Sequence, residues 1–193
     1  MVVDRRTCEV LACVGSTGYF DTDSAGAIDY TTVKRSPGSA LKPFIYALAL
    51  DRGDITPASI LDDVRRGPGG ISNADGTFVG PMLVRQALAN SRNVPATNLL
   101  AALGVRYGYS FLADLGLHDC SVGVEHYGVG MVIGTLPVTL EALIRAYTVL
   151  ACDGVLRRLE WFAGCGRGAS GRRLLDRSTA RIVGSMLSDL SLI

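Results

Sequence analysis

Lysine is nearly absent from this chain, although basic residues are not. Of its 19 basic residues only Lys34 and Lys42 are lysines, and all the others are arginines. An arginine guanidinium stays protonated under ordinary conditions, whereas a desolvated lysine can lose its proton and act as a base. Either lysine is therefore a candidate for proton transfer.

Other shortages exclude whole classes of function. The formal net charge is only +1 and the arginines are scattered among acids, so the composition indicates neither nucleic acid nor an anionic membrane as a partner. No apolar run approaches the ~20 residues that span a bilayer, and the first residues lack a signal-peptide pattern. We therefore expect no nucleic acid partner, and no signal, anchor or membrane segment in this chain.

Cysteine and histidine are too few and too dispersed to indicate a metal centre. The cysteines include no Cys-x-x-Cys element, and neither histidine has a carboxylate at ligand spacing. We therefore expect no metal and no cofactor. A pair across a hairpin is conceivable for the first two cysteines, but buried or half-buried free thiols are the simpler interpretation. The cysteines are Cys8, Cys13, Cys120, Cys152 and Cys165.

One segment has a pattern typical of serine acyl transfer. In Arg35-Ser-Pro-Gly-Ser-Ala-Leu-Lys-Pro-Phe-Ile-Tyr-Ala-Leu-Ala-Leu50, a glycine turn leads into an apolar helix, with Ser39 and Lys42 three residues apart. Residues i and i+3 share a helix face, so the Lys42 amine could accept the proton of the Ser39 hydroxyl. The first helical turn also favours negative charge that develops nearby. Ser-x-x-Lys arises by chance about once in a chain of this length, so it does not establish catalysis alone.

Together with other segments, this one resembles the active-site region of class A penicillin-binding proteins, the bifunctional murein synthases, and most closely their type C branch. Residues 9–16 resemble the strand and loop that precede the nucleophile in that family. Residues 80–96 resemble the segment of the second motif, where Ser91 and Asn93 match Ser-x-Asn. Residues 127–155 resemble the helical part of the same domain. The resemblance covers nearly all of the chain.

The resemblance implies a two-step acyl transfer. Ser39 would attack the penultimate D-alanine carbonyl of a peptidoglycan stem peptide, release the terminal D-alanine, and hold an acyl-enzyme until a neighbouring amine takes the acyl group. Lys42 would accept the serine proton. Ser91 would relay a proton toward the leaving amine, and Asn93 would bind the substrate amide and hold Lys42 in place. A β-lactam would mimic the D-Ala-D-Ala terminus and stay attached to Ser39.

The sequence departs from the family pattern in one element. It contains no Lys-Thr-Gly or Lys-Ser-Gly, and residues 178–188 resemble the helix that precedes this third motif. We therefore expect the chain to stop before that strand and to start at the opening hairpin, without a glycosyltransferase domain or membrane anchor. In the family the strand supplies the second oxyanion donor and carboxylate-binding residues. Its absence predicts little or no turnover.

The expected fold is a single partial transpeptidase domain over residues 1–193. It belongs to the α+β class, with the penicillin-binding transpeptidase or β-lactamase-like fold: a helical subdomain and an antiparallel sheet that lacks its later strands. By resemblance, the full-length family is periplasmic and attached to the inner membrane. Two alternatives stay open, a non-catalytic remnant or binding module, and a β-lactamase or β-lactam sensor of the same superfamily, which deacylation would reveal.

Local patterns predict individual elements within this fold. Residues 1–14 should form a hairpin, residues 39–51 and 81–90 helices, and residues 67–70 and 73–76 turns. Pro95 should open a further helix. Thr139 should cap a helix with a buried stripe, and a last helix near 179–190 should bury its apolar side. The residues of these two apolar sides are Leu140, Leu143, Ile144, Tyr147 and Leu150, and then Ile182, Val183, Met186 and Leu187.

Overall fold

In a computed structural model of the chain, residues 1–65, 70–162 and 171–189 are described, and they form helices and short antiparallel strand pairs. This mixed composition confirms the predicted α+β class. Cys165, most of the predicted turn at 67–70 and the end of the predicted last helix lie outside the described residues. The α-helices are α1 (Lys42–Asp51), α2 (Val84–Ala89), α3 (Asn93–Leu103), α4 (Val105–Asp114), α5 (Val124–Tyr127), α6 (Leu140–Ala151) and α7 (Arg177–Ser188), and the 3₁₀ segments are Gly38–Leu41 and Gly128–Ile133.

The strands form three separate antiparallel pairs in the described part of the chain. The predicted hairpin is confirmed as β1 (Val2–Val3) and β2 (Val10–Ala12). A second pair, β3 (Ile60–Asp63) with β4 (Gly80–Leu83), was not predicted. The predicted helix start at residue 81 is wrong, because residues 80–83 are held extended by pairing with β3 and the helix begins only at Val84. The third pair is β5 (Val155–Leu156) with β6 (Arg172–Arg173).

The core surrounds α1, which packs against α2, α3, α4 and α7. Phe44, Ile45 and Tyr46 are fully buried on successive sides of this helix. A helix that is apolar all round belongs in an interior, which explains why α1 lacks a polar face. The ring of Phe44 also packs edge-on against the ring of Tyr147 from α6, with centroids 5.0 Å apart. The segment that carries Ser39 and Lys42 therefore leads directly into the centre of the molecule.

Helices α6 and α7 are amphipathic as predicted, except at one exposed leucine near an end of each. The Thr139 hydroxyl caps α6 by accepting a hydrogen bond from the Ala142 N–H at 3.1 Å, as predicted. The expected burial is wrong for Leu140, which is 39% exposed, and for Leu187, which is 44% exposed. These residues lie in the first turn of α6 and the last turn of α7, where fewer neighbouring elements cover a side chain. The buried or partly buried members are Leu143, Ile144, Tyr147, Leu150, Ile182, Val183 and Met186.

The cysteines of the described residues are all free thiols. Cys8 is buried and Cys152 is half-buried, which confirms the predicted burial for these two. The prediction is wrong for Cys13 and Cys120, which are exposed because they lie in surface loops. None of these thiols is bonded to another.

A junction of distant segments fixes the 3₁₀ segment Gly38–Leu41. The Ser36 hydroxyl donates to the carbonyl of Gly134 at 2.7 Å, and the Tyr147 hydroxyl donates to the carbonyl of Ala40 at 2.9 Å. Gly134 has φ 115°, and a Cβ placed there would lie 2.6 Å from Ser36 Oγ and 2.8 Å from the Gly38 Cα. Only glycine satisfies both the backbone conformation and the close approach.

We predict that Gly134→Ala destabilises the protein by about 1–3 kcal/mol, because the added methyl group collides with the Ser36 hydroxyl and the Gly38 backbone. The free energy of unfolding in urea measures this change. Gly184→Ala in α7 is the matched control, since a Cβ there meets no described atom within 4 Å. That control should stabilise the protein by about 0.5–1 kcal/mol. Equal effects of both substitutions would contradict the proposed close contact.

Candidate active site

Lys42, the first residue of α1, is 1% exposed. Its ammonium group donates hydrogen bonds to the Ser91 carbonyl, to Ser91 Oγ at 3.1 Å and to Asn93 Oδ1 at 2.6 Å. Burial lowers the pKa of Lys42 to about 8, with a smaller contribution from the positive charge of Arg92. A lysine with this pKa is partly neutral near physiological pH and can accept a proton.

Ser39 lies in the 3₁₀ segment, not in the α-helix that was predicted to start at this residue. A 3₁₀ helix has three residues per turn, so Ser39 and Lys42 are eclipsed on one side, and the Lys42 N–H donates to the Ser39 carbonyl. The Ser39 residue is exposed, which leaves it open to a ligand. Among the described residues, the Lys42 ammonium contacts the second motif and makes no hydrogen bond to Ser39 Oγ.

The loop between α2 and α3 presents Ser91 to Lys42. The N–H of Ser91 donates to the Leu88 carbonyl and the N–H of Arg92 donates to the Ala87 carbonyl, both at 3.0 Å. These two bonds, with Ser91 at φ 51°, form a Schellman motif at the end of α2. Glycine is the usual residue in its left-handed position. A serine in this position has a strained backbone, but it places both its hydroxyl and its carbonyl against Lys42.

Asn93 is the first residue of α3, so this helix starts two residues before the predicted Pro95. Its side-chain amide is fixed at both ends, because Oδ1 accepts from Lys42 and Nδ2 donates to the Ser72 carbonyl at 3.0 Å. The side chain of Asn73 caps the same helix from outside, with Oδ1 accepting from the backbone N–H of Asn93 at 2.8 Å and of Val94 at 3.2 Å. The predicted turn at 73–76 therefore has a second role, as a support for Asn93.

Arg92 points away from Lys42 into a buried ion pair. Its guanidinium contacts the Asp63 carboxylate of β3 at 2.8 Å and the Asp75 carboxylate at 2.8 Å, and it also donates to the Thr77 carbonyl. Asp63 is fully buried and its other oxygen accepts from Asn73 Nδ2 at 2.6 Å. This network connects β3, the 73–77 turn and the α2–α3 loop.

Sequence reasoning missed Asp63, Asn73 and Arg92 as parts of the site. Asp63 lies 29 residues before Arg92 and Asn73 lies 20 residues before Asn93, and no short spacing pattern relates them to the Ser-x-Asn motif. The available signal was the arginine inside the motif itself, because a charged residue flanked by two cleft residues must point elsewhere and needs an acidic partner.

Tyr46 is a buried aromatic residue of the helix that begins with Lys42. It lies four residues after Lys42 and therefore on the same face of α1. Its side chain is fully buried, and its hydroxyl has no hydrogen-bond partner among the described residues. Burial, together with the nearby charge of Asp63, raises the pKa of this phenol, which keeps it neutral. Tyr46 therefore forms part of the buried interior around α1, the helix that begins with Lys42.

Residues 1–65, 70–162 and 171–189 contain no group of three histidine, cysteine or acidic side chains that could hold a metal ion. None of the helices described is long and apolar enough to cross a membrane.

Comparison with known proteins places this site in a family. Residues 1–187 match the family model described as "Penicillin binding protein transpeptidase domain". The chain therefore belongs to this family, in agreement with the predicted resemblance and fold.

Individual relatives agree with the family match. Penicillin-binding protein 1C of Escherichia coli K12 is 37% identical over 161 residues, which cover 82% of this chain and 21% of that protein. Penicillin-binding protein 1A of Rickettsia bellii is 32% identical over 163 residues, covering 80% of this chain and 20% of that protein. The chain thus spans about a fifth of the length of these curated relatives.

Solved structures give the same fold. The crystal structure of a peptidoglycan glycosyltransferase from Burkholderia ambifaria superposes with a TM-score of 0.80 at 26% identity, covering 96% of this chain and 63% of that one. The apo transpeptidase domain of penicillin-binding protein 3 from Burkholderia pseudomallei gives a TM-score of 0.76 at 25% identity, covering 96% of this chain and 59% of that one. The chain therefore corresponds to under two thirds of each of these structures.

We predict that Ser91→Gly is more stable than Ser91→Ala by about 1 kcal/mol, because glycine relieves the left-handed backbone and alanine does not. Both substitutions remove the Oγ contact with Lys42, so this loss cancels in the comparison. Urea unfolding of the two variants side by side measures the difference. An alanine variant as stable as the glycine variant would mean that the loop has no strain at residue 91.

Proposed function

We propose that this chain is the acyl-transfer unit of a peptidoglycan D,D-transpeptidase, with Ser39 as nucleophile and Lys42 as its general base. The observation that supports this most directly is the buried Lys42, which has a lowered pKa and is held by Ser91 and Asn93. Lys42 follows the exposed Ser39 by three residues at the end of the 3₁₀ segment. The chain that carries both residues belongs to the family of penicillin-binding transpeptidase domains.

The first step is proton transfer from Ser39 to Lys42. The protonated amine donates to three oxygens of Ser91 and Asn93. In this charged form it has no lone pair and is not a base. Loss of one proton frees a lone pair. The neutral amine then takes the Ser39 proton, while the serine oxygen attacks the penultimate D-alanine carbonyl of a stem peptide. Collapse of the tetrahedral intermediate breaks the peptide bond and releases the terminal D-alanine.

Ser91 and Asn93 have separate roles in this scheme. The Ser91 hydroxyl, which contacts the Lys42 amine, passes a proton from Lys42 to the nitrogen of the leaving D-alanine. The Asn93 amide holds Lys42 through Oδ1 and binds the substrate amide. An amine of a neighbouring stem peptide then attacks the acyl-enzyme ester, forms the crosslink and regenerates the Ser39 hydroxyl.

The substrates and the location follow from the same proposal. The stem peptide ends in D-Ala-D-Ala, and β-lactams that mimic this terminus act as covalent ligands of Ser39. We place the whole protein in the periplasm, attached to the inner membrane, as in the family that the sequence resembles. The 193 residues contain no Lys-Thr-Gly, so we expect them to be acylated more readily than they complete transfer.

We predict that incubation with a β-lactam gives one covalent adduct per chain, on Ser39, and that the adduct is slow to hydrolyse. Ring opening leaves the drug attached as an ester, and intact-protein mass spectrometry with peptide mapping detects it. Ser39→Ala should give no adduct. Ser110→Ala is the matched control, since this serine is exposed on α4, lies outside both motifs and should leave the adduct in place.

Other outcomes of this experiment separate the alternatives. No adduct on a folded chain would overturn the acyl-transfer proposal and favour a non-catalytic binding module. An adduct that forms and is then hydrolysed rapidly would instead favour a β-lactamase. Efficient crosslinking of stem peptides by these 193 residues would contradict the expectation of slow turnover.

We predict that the rate of acylation rises with pH by about tenfold per unit and levels off above pH 8, because only the neutral Lys42 amine is a base. The rate increases with pH because a higher pH increases the neutral fraction of Lys42, and the lowered pKa places this change near pH 8. The measurement is the second-order rate constant with a fluorescent penicillin. Lys42→Arg, which remains charged, should lower this constant by at least about 100-fold on the plateau and should remove the pH dependence. A flat profile in the unsubstituted chain would exclude Lys42 as the titrating base.

A further inference from the structure

Two cysteines from distant parts of the sequence lie at the β1–β2 turn. Cys8 belongs to this turn and is 1% exposed, with φ 61°. Cys152 follows the last residue of α6 and is half-buried. Its thiol donates a hydrogen bond to the Arg5 carbonyl at 3.0 Å, while the Cys8 N–H donates to the Asp4 carbonyl at 2.8 Å. Both cysteines are therefore attached to the same turn.

The conformation of Cys8 is unusual for a residue of its type. Left-handed positions in turns favour glycine or asparagine, and a side chain with a Cβ costs free energy there. The turn nevertheless holds a cysteine and buries it, although a small polar residue would suit an exposed hairpin better. The turn alone does not explain why a cysteine occupies this position, and the nearby Cys152 offers a reason.

Cys152 also affects the acidity of the Cys8 thiol. The pKa of Cys8 is raised to about 11, mainly by burial and in part by the charge of the Cys152 thiol and a side-chain hydrogen bond with it. The guanidinium of Arg157, which donates to the Arg6 carbonyl at 3.1 Å, acts in the opposite direction and favours a thiolate. The pair therefore has a cation beside it that can support the charged form required for disulfide exchange.

We propose that Cys8 and Cys152 are a disulfide-forming pair that links the β1–β2 turn to the end of α6. The half-buried Cys152 reacts first, as its thiolate attacks a small-molecule disulfide such as oxidised glutathione and releases one thiol. The Cys8 thiolate then attacks Cys152 Sγ and releases the second thiol. In total the two cysteines lose two protons and two electrons, and the oxidant takes them up as two thiols. This proposal does not depend on the acyl-transfer chemistry.

The bond would close a loop of more than half the chain. A crosslink between such distant residues stabilises a protein mainly by restricting its unfolded state, and longer loops give a larger effect. The oxidised protein should therefore unfold at a temperature higher by several degrees than the reduced one, and dithiothreitol should reverse the shift.

The test uses a C13S/C120S/C165S background, in which Cys8 and Cys152 are the only thiols left. After incubation of the folded protein with oxidised glutathione, we expect no free thiol, no retained glutathione, and a mass lower by two hydrogen atoms. Peptide mapping without reductant should then recover the Cys8 and Cys152 peptides as one species. The melting temperature before and after dithiothreitol reports the stabilisation.

Two variants in this background keep the test decisive. Cys152→Ser should leave Cys8 as an unreacted buried thiol. Cys8→Ser should leave a stable glutathione adduct on Cys152, and if it fails to fold, the Cys152 variant alone still gives the comparison. Two free thiols in the folded background protein, or a glutathione adduct on Cys152 that never resolves, would overturn the proposal. So would a bond that forms only after unfolding in guanidinium.

Discussion

The burial of the Lys42 charge is the constraint on which the rest of the site depends. An ammonium removed from water must be given hydrogen-bond acceptors, or the charged form becomes too costly to exist. All of its acceptors among the described residues come from Ser91 in the α2–α3 loop and from Asn93, the first residue of α3. The conformation of that loop is therefore set by the lysine, and the strained backbone of Ser91 is a consequence of this demand.

A second buried charge holds the loop in place. Arg92 lies between the two residues that contact Lys42, and its pairing with the buried Asp63 directs it to the opposite side. Removing one partner of such a pair typically costs about 3–5 kcal/mol, because the other charge stays buried without compensation. The arrangement also keeps two cations near each other, and the repulsion adds to burial in lowering the pKa of Lys42. Arg92 thus both stabilises the α2–α3 loop and helps to lower the pKa of Lys42.

Much of this arrangement could be predicted from local sequence, and the remainder could not. The first hairpin, the Thr139 cap and the placement of Ser91 and Asn93 at a junction of two helices follow from patterns of a few residues. The pairing of β3 with β4 overrides the helical pattern that begins at residue 81, since strand pairing depends on a distant segment. The support of Asn93 by Asn73 likewise arises only in three dimensions.

The 3₁₀ segment that carries Ser39 owes its shape to residues far along the chain. The hydroxyl of Tyr147 reaches Ala40 across 107 positions, and Ser36 reaches Gly134 across 98. Contacts of such sequence separation are entropically costly, because a large loop must close before they are made. A short peptide with the Ser-x-x-Lys motif would therefore contain both residues without the geometry that relates them. In the proposed mechanism, the reactivity of Ser39 is therefore a property of the complete fold and not of the motif alone.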